Sequence, residues 1–233
     1  MAAGSSTAAA VGESTGPSDR GRALFELATA YLLILTVIWT PRPWQARIYF
    51  VAAAFIAWAT WRSWAGANAM GWGGRNSLRS AWVIGAAALV SVAAIACAVR
   101  LGTLHAPLTP TLFAKRFIGY LMFACIQQFL LQDFFLLRLL AVGLAPRNAV
   151  LAAATIFAVA HLPSPILVVL TFVWGVIATA WFLRYRSLYA LAVAHMILGV
   201  TLAICVPGPT IRNMRVGLSY LTYRAPNAHH LNH

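Results

Sequence analysis

Carboxylates are almost missing from this chain. Glu13, Asp19, Glu26 and Asp133 are the only acidic residues among 233. A mechanism needing a carboxylate deep in the protein therefore has one evident candidate, Asp133. Charge of either sign is scarce, at 9% of residues, where a soluble domain carries about 25%. With 61% apolar residues and a mean hydropathy of +0.78, a water-soluble domain is excluded and an integral membrane protein is expected. Cysteine is also rare. Cys97, Cys125 and Cys205 stand singly in apolar runs with no CxxC spacing, which argues against a disulfide framework or thiolate metal site. They read as small buried hydrophobes.

What is present is cationic and aromatic. The 17 Lys and Arg give a net charge of +13, but they are scattered at the ends of apolar segments. That placement suits anionic headgroups rather than nucleic acid, so the bilayer is the expected partner. Several tryptophans (Trp39, Trp44, Trp64, Trp82) also sit at segment ends, as in an interfacial belt.

Residues 1–22 are small and polar, lack the basic-then-apolar build of a signal peptide, and are expected to form a disordered tail. Three transmembrane helices are expected within 23–112, over Leu24–Trp39, Gln45–Trp64 and Ala81–Val99. A four-helix core follows over 113–206. Its first member, Phe113–Val142, would be roughly 45 Å long if fully helical, more than a bilayer core of about 30 Å, so it must tilt, kink or protrude. Asn148 is an expected N-cap for a helix running through His161, and Pro163 and Pro165 break the chain there. Leu167–Arg184 and Leu188–Val206 complete the set, and residues 207–233 read as a loose polar, basic tail. The fold class is thus all-α, a polytopic bundle of about seven helices. Alternate loops share the Lys and Arg nine to eight, so the positive-inside rule gives no orientation.

Within this apolar frame one stretch stands out. Cys125–Arg138, CIQQFLLQDFFLLR, places Gln127, Gln128, Gln132 and Asp133 where lipid or packed protein is expected, and unpaired polar groups are costly there. Gln128 and Gln132 share a helix face. Asp133 lies five residues beyond Gln128, about 140° round an α-helix, so serving with it would require a rotated or kinked helix. Downstream, His161 and His195 each sit in an apolar segment. A glutamine in such a helix often only bonds a neighbouring helix, and a lone buried histidine is often a satisfied core residue. Together the three glutamines and the two histidines point to one shared intramembrane polar site. His105, His229, His230 and His233 lie in a loop and the tail, where they would form at most a weak surface metal trap.

QQFLLQD, then FAVAH (Phe157–His161), then HMILG (His195–Gly199) resembles the ordered motifs of the CPBP intramembrane proteases, the CAAX-protease and bacteriocin-processing (Abi) family: EExxxRG, FxxxH and HxxxN. With its supporting pattern the resemblance runs over Phe113–Val206, a CPBP-like core in the C-terminal half. It implies an intramembrane endopeptidase, a hydrolase in which a glutamate, with histidine or a divalent metal such as zinc, activates water. Carried over by position, the site residues are Gln127, Gln128, Gln132, Asp133, His161 and His195, with the two histidines as the candidate metal ligands. Gln127 and Gln128 stand at the glutamate positions, Gln132 at the arginine, Asp133 at the following glycine and Gly199 at the asparagine. A membrane-associated peptide or protein tail is the implied substrate, and a bacterial inner membrane the implied location. Two alternatives stay open: a non-catalytic scaffold or peptide-binding pseudoprotease using the same cavity, and a small transporter.

Overall fold

A computed structural model describes residues 17–73, 77–105 and 109–224. The described residues are helices and turns, with no strand among them. The long helices are α1 (Pro17–Trp39), α2 (Arg42–Arg62), α4 (Trp82–Leu101), α5 (Pro110–Gln128), α7 (Pro146–Val159), α8 (Pro165–Tyr185) and α9 (Leu188–Cys205). Helix α5 continues without a break into a π-helical stretch, Phe129–Leu136, and then α6 (Leu137–Val142). Short turns α3 (Ser77–Ser80) and α10 (Gly217–Leu221) complete the helices named here. Helices thus occupy all seven expected positions, with the α5–π–α6 run counted as one. Five helical stretches are long and apolar enough to cross a membrane by length and composition. Helix α7 is too short at 14 residues, and α2 does not meet the same measure. The chain is an integral membrane protein.

The boundaries differ from expectation where local chemistry decides them. Helix α1 begins at Pro17, taking in residues assigned to the tail. Proline is tolerated in a first turn and Asp19 favours the helix N-terminus. Asn148 does not cap α7. Ala145 holds the cap position and Pro146 opens the helix, leaving Asn148 in its first turn. The stretch after Pro207 is not loose up to Arg224. Ile211 is buried, and α10 docks on α1, where Gly217 (φ 54°) lies against Ile38 with no room for a side chain. The remaining tail, with His229, His230 and His233, lies outside the described residues, as do residues 1–16. Of the cysteines only Cys205 is buried; Cys125 is half-buried and Cys97 exposed, because α4 turns that face outward.

The π-helical stretch is the centre of the molecule. Leu131 to Leu136 are all buried, so this turn is covered on every side, against α7 and α8 among others. Helices α7 and α8 cross closely because Gly175 has no side chain. A Cβ there would lie 3.0 Å from the Ala154 Cα, the small-residue contact by which membrane helices pack. Helix α9 packs against both α4 and α5, and the Thr201 and Ser91 hydroxyls, 2.8 Å apart, join α9 to α4.

The N-terminal helices are tied to the core by polar contacts. Arg138 on α6 donates to Glu26 on α1 through Nε (3.0 Å) and Nη2 (3.0 Å). It also donates to Ser63 Oγ, at the end of α2, at 3.2 Å. Tyr31 of α1 donates to the Ile156 carbonyl of α7 at 3.1 Å. Glu26 is thus a second buried carboxylate, and Arg138 pairs with it rather than with Asp133.

Candidate functional site

Helices from both halves enclose a cavity of about 2120 Å³. It is much larger than the roughly 300–1,000 Å³ of small-molecule pockets. Its wall is overwhelmingly apolar and contains no Asp, Glu, Lys or Arg among the described residues. His161, His195, Gln127, Tyr120 and Trp72 supply polar atoms along it.

Three of the expected residues form one hydrogen-bonded chain. Gln128 Nε2 lies 2.9 Å from His195 Nδ1, and Gln132 Nε2 donates to Gln128 Oε1 at 3.2 Å. Both glutamines are fully buried behind the cavity wall. One turn separates them on the helix, which is why one amide reaches the other. The direction of the chain matters. With Gln128 Nε2 facing Nδ1, the amide donates and the neutral His195 ring carries its proton on Nε2. Gln132 Oε1 is left without a partner. Reversing both amides would put an NH2 group in that place instead, and a buried orphan N–H is the rarer and less favourable outcome. His195 therefore offers an N–H donor.

His161 has the opposite polarity. It lies in the turn between α7 and α8, with Nδ1 2.7 Å from the Phe157 carbonyl. A carbonyl only accepts, so Nδ1 holds the proton and Nε2 is an acceptor. Burial pushes this imidazole below its ordinary range, partly offset by that hydrogen bond, and it is neutral at pH 7. The Phe157 ring packs against both imidazoles, with centroids 4.9 Å from His161 and 6.2 Å from His195. The FxxxH spacing thus has a physical sense. Phe157 supplies the carbonyl that sets the His161 tautomer and a ring that packs against both histidines.

Gln127 and Asp133 do not join the chain. Gln127 is half-buried on the cavity wall. The helix does depart from α geometry here: π-type i→i+5 turns take more residues and bring Asp133 nearer the Gln128 face. Its carboxylate nonetheless takes a different partner: Oδ2 accepts from Trp72 Nε1 at 3.0 Å. Its Oδ1 is buried without a hydrogen bond. The nearby Arg186, in the α8–α9 turn, acts on it electrostatically.

Residues 128–201 match a family model described as type II CAAX prenyl endopeptidase, Rce1-like. That segment is CAAX-protease-like. It covers about a third of the chain and runs from Gln128 past His195, so the matched residues are those that build the neutral chain and carry both histidines. No curated protein and no solved structure matches the sequence.

A metal in this CAAX-protease-like segment would need a matching donor set. Zinc sites use three or four protein ligands from Cys, His and carboxylates. Among the described residues no group of three such side chains comes together, and the amides beside the histidines are poor ligands. The Nε2 proton of His195 also blocks its free nitrogen. These residues do not fit a metal.

Two neighbours of the site escaped the sequence reading. Trp72 comes from the glycine-rich loop after α2, where nothing local marks it. Tyr120 is seven residues before Gln127, so helical spacing places it on the same face, and its ring meets His195 edge-on at 6.4 Å.

Proposed function

We propose that this membrane protein binds the tail of a membrane-associated protein, prenylated or otherwise apolar, in its large cavity and holds it without hydrolysing it. The observation that carries this reading is the neutral site. Where the family's motif has two glutamates, Gln127 faces the cavity as an amide and Gln128 is consumed in bonding Gln132 and His195. An amide cannot take a proton from water. The carboxylate nearest in sequence, Asp133, is bonded to Trp72 instead. The size and apolar wall of the cavity favour a hydrocarbon-bearing chain over a polar metabolite. A bacterial plasma membrane is the location this proposal takes from the resemblance to bacteriocin-processing enzymes.

A second reading, the endopeptidase, is favoured by one observation: His161 and His195 line the same cavity with complementary donor and acceptor nitrogens. One experiment separates the two. The full chain in lipid nanodiscs is incubated with a fluorescent farnesylated peptide, and binding and cleavage are followed by polarisation and mass spectrometry. Saturable binding with an intact peptide is expected. Cleavage lost in His161→Ala would establish the peptidase, and absence of binding would sink the receptor.

A further inference from the structure

Past the end of α9 the chain makes a hairpin that carries two stacked arginines and no acid. Arg212, Asn213 and Met214 follow one another in the left-handed region (φ 46°, 51° and 56°), which side chains other than glycine seldom adopt. Such strain persists only where the surroundings hold it, and it gathers at ligand clamps. Here Ile211 is buried, and the Asn213 amide donates to the Gly208 carbonyl at 2.8 Å. The Gly217 amide donates to the Leu162 carbonyl, beside His161, also at 2.8 Å. The Arg212 guanidinium lies over the Tyr220 ring at 4.1 Å, and that of Arg215 over the Tyr223 ring at 5.3 Å. Each arginine thus stands eight residues before its tyrosine, and two like charges are fixed three residues apart.

Nothing in the chain neutralises them. Arg212 spends Nη1 on the Tyr220 carbonyl at 2.8 Å, whereas Arg215 makes no hydrogen bond or ion pair among the described residues. The Tyr223 hydroxyl is buried without a hydrogen-bond partner, so that ring too ends in a donor with no protein acceptor. The carboxylates among the described residues are engaged elsewhere: Asp19 with Arg22, Glu26 with Arg138, and Asp133 with Arg186 as its electrostatic neighbour. Stacking holds a guanidinium by its face and leaves its N–H edge to donate, a planar fork that fits phosphate. The hairpin begins where the membrane-length apolar helix Leu188–Cys205 ends, the level at which lipid headgroups lie. We infer that Arg212 and Arg215 clamp the phosphate of an anionic phospholipid there, beside the part of the cavity that Asn213, Met214 and Val216 line. Two cations favour a headgroup without a choline or amine to repel, as in phosphatidylglycerol. The clamp does not depend on the cavity's holding a tail.

The test titrates the full chain in a neutral detergent with dioctanoyl phosphatidylglycerol or dioctanoyl phosphatidylcholine and counts bound lipid by native mass spectrometry. Wild type should bind the glycerol lipid about tenfold more tightly than the choline lipid. Arg215→Gln should lose most of that preference while melting like wild type in the absence of lipid. Tyr223→Leu keeps both charges but removes the shelf under Arg215, so its affinity should fall about threefold. Arg47→Gln is the control, because Arg47 lies over the Trp44 ring at 4.8 Å in the same way but outside the hairpin; it should bind like wild type. Equal binding of the two lipids by wild type overturns the clamp. So do equal losses in Arg215→Gln and Arg47→Gln, which would show only a diffuse attraction to a cationic surface. Excess glycerophosphate, which has the phosphate but no acyl chains, should leave the lipid bound. Displacement by it would make the hairpin a site for soluble phosphate esters and overturn the lipid as its ligand.

Discussion

Two buried polar clusters lie six residues apart on the same helical run, and they are built on opposite principles. At Arg138 the cluster is charged: a guanidinium, a carboxylate and a hydroxyl from α6, α1 and α2, each within 3.2 Å. At Gln132 it is neutral, a relay of two amides and an imidazole. The charged cluster is closed, its members bonded to one another and to nearby backbone carbonyls, and it joins the helices outside the family match to the core. The neutral cluster ends in a ring on the cavity. The Glu26–Arg138 charge pair holds helices together, and among the described residues the cavity wall carries no Asp, Glu, Lys or Arg.

The largest expected effect comes from breaking the charged cluster on one side only. Glu26→Ala leaves Arg138 buried with Ser63 and the Phe134 carbonyl but no counter-charge. Removing one partner of a buried pair costs about 3–5 kcal/mol. Thermal unfolding of the purified protein should show a drop far larger than for Glu26→Ala/Arg138→Met, which removes both charges. If the two variants unfold alike, the pair does not lock α1 to the core.

That pair also shows what could be read from the sequence and what could not. The helices were legible because apolar length and flanking Arg or Trp are local signals. The convergence of Gln128, Gln132 and His195 was legible because polar groups in apolar runs need partners. The pairing of Glu26 with Arg138 was not, since 112 residues separate them and Asp133 stood nearer to Arg138 in sequence. The direction in which Asp133 faces depends on the π-helical stretch, and no single residue of FLLQDFFL announces a wider turn. Tyr120 was hidden for another reason. Its place in the site depends on an absent side chain at Gly199, where a Cβ would overlap the phenol, and the sequence shows that absence only as a departure from a motif.

A middle-sized effect is expected in the neutral cluster. Gln128→Leu orphans His195 Nδ1 and the Gln132 amide together, and an unsatisfied buried polar group costs about 1–3 kcal/mol. Because the lost bond also sets the His195 tautomer, the variant should lose affinity for the farnesylated peptide as well as stability. Gln132→Leu leaves the Gln128–His195 bond in place and should weaken stability with little effect on binding. A Gln132→Leu protein as impaired in binding as Gln128→Leu would show that the relay acts as one unit.

Asp133 provides the finest test, because it belongs to neither cluster. Its carboxylate is buried, accepts one hydrogen bond from Trp72 and has an orphaned Oδ1, with Arg186 as an electrostatic neighbour rather than a bonded partner. Glu26 has two charge-assisted bonds and Asp133 has none from a cation. Replacing Asp133 by asparagine keeps the shape and can keep the Trp72 bond through the amide oxygen, while removing a charge that the structure does not pair. The expected change in stability is therefore within about 1 kcal/mol, the size of an ordinary hydrogen bond, and of either sign. Glu26→Gln, the same chemical change at the charged cluster, should cost several times more because it strips Arg138 of its counter-charge. Both variants unfolded side by side in the same detergent decide the matter. A large loss in Asp133→Asn, with a small one in Glu26→Gln, would mean that Asp133 and Arg186 form the working ion pair and that the division between a charged brace and a neutral cavity is drawn in the wrong place.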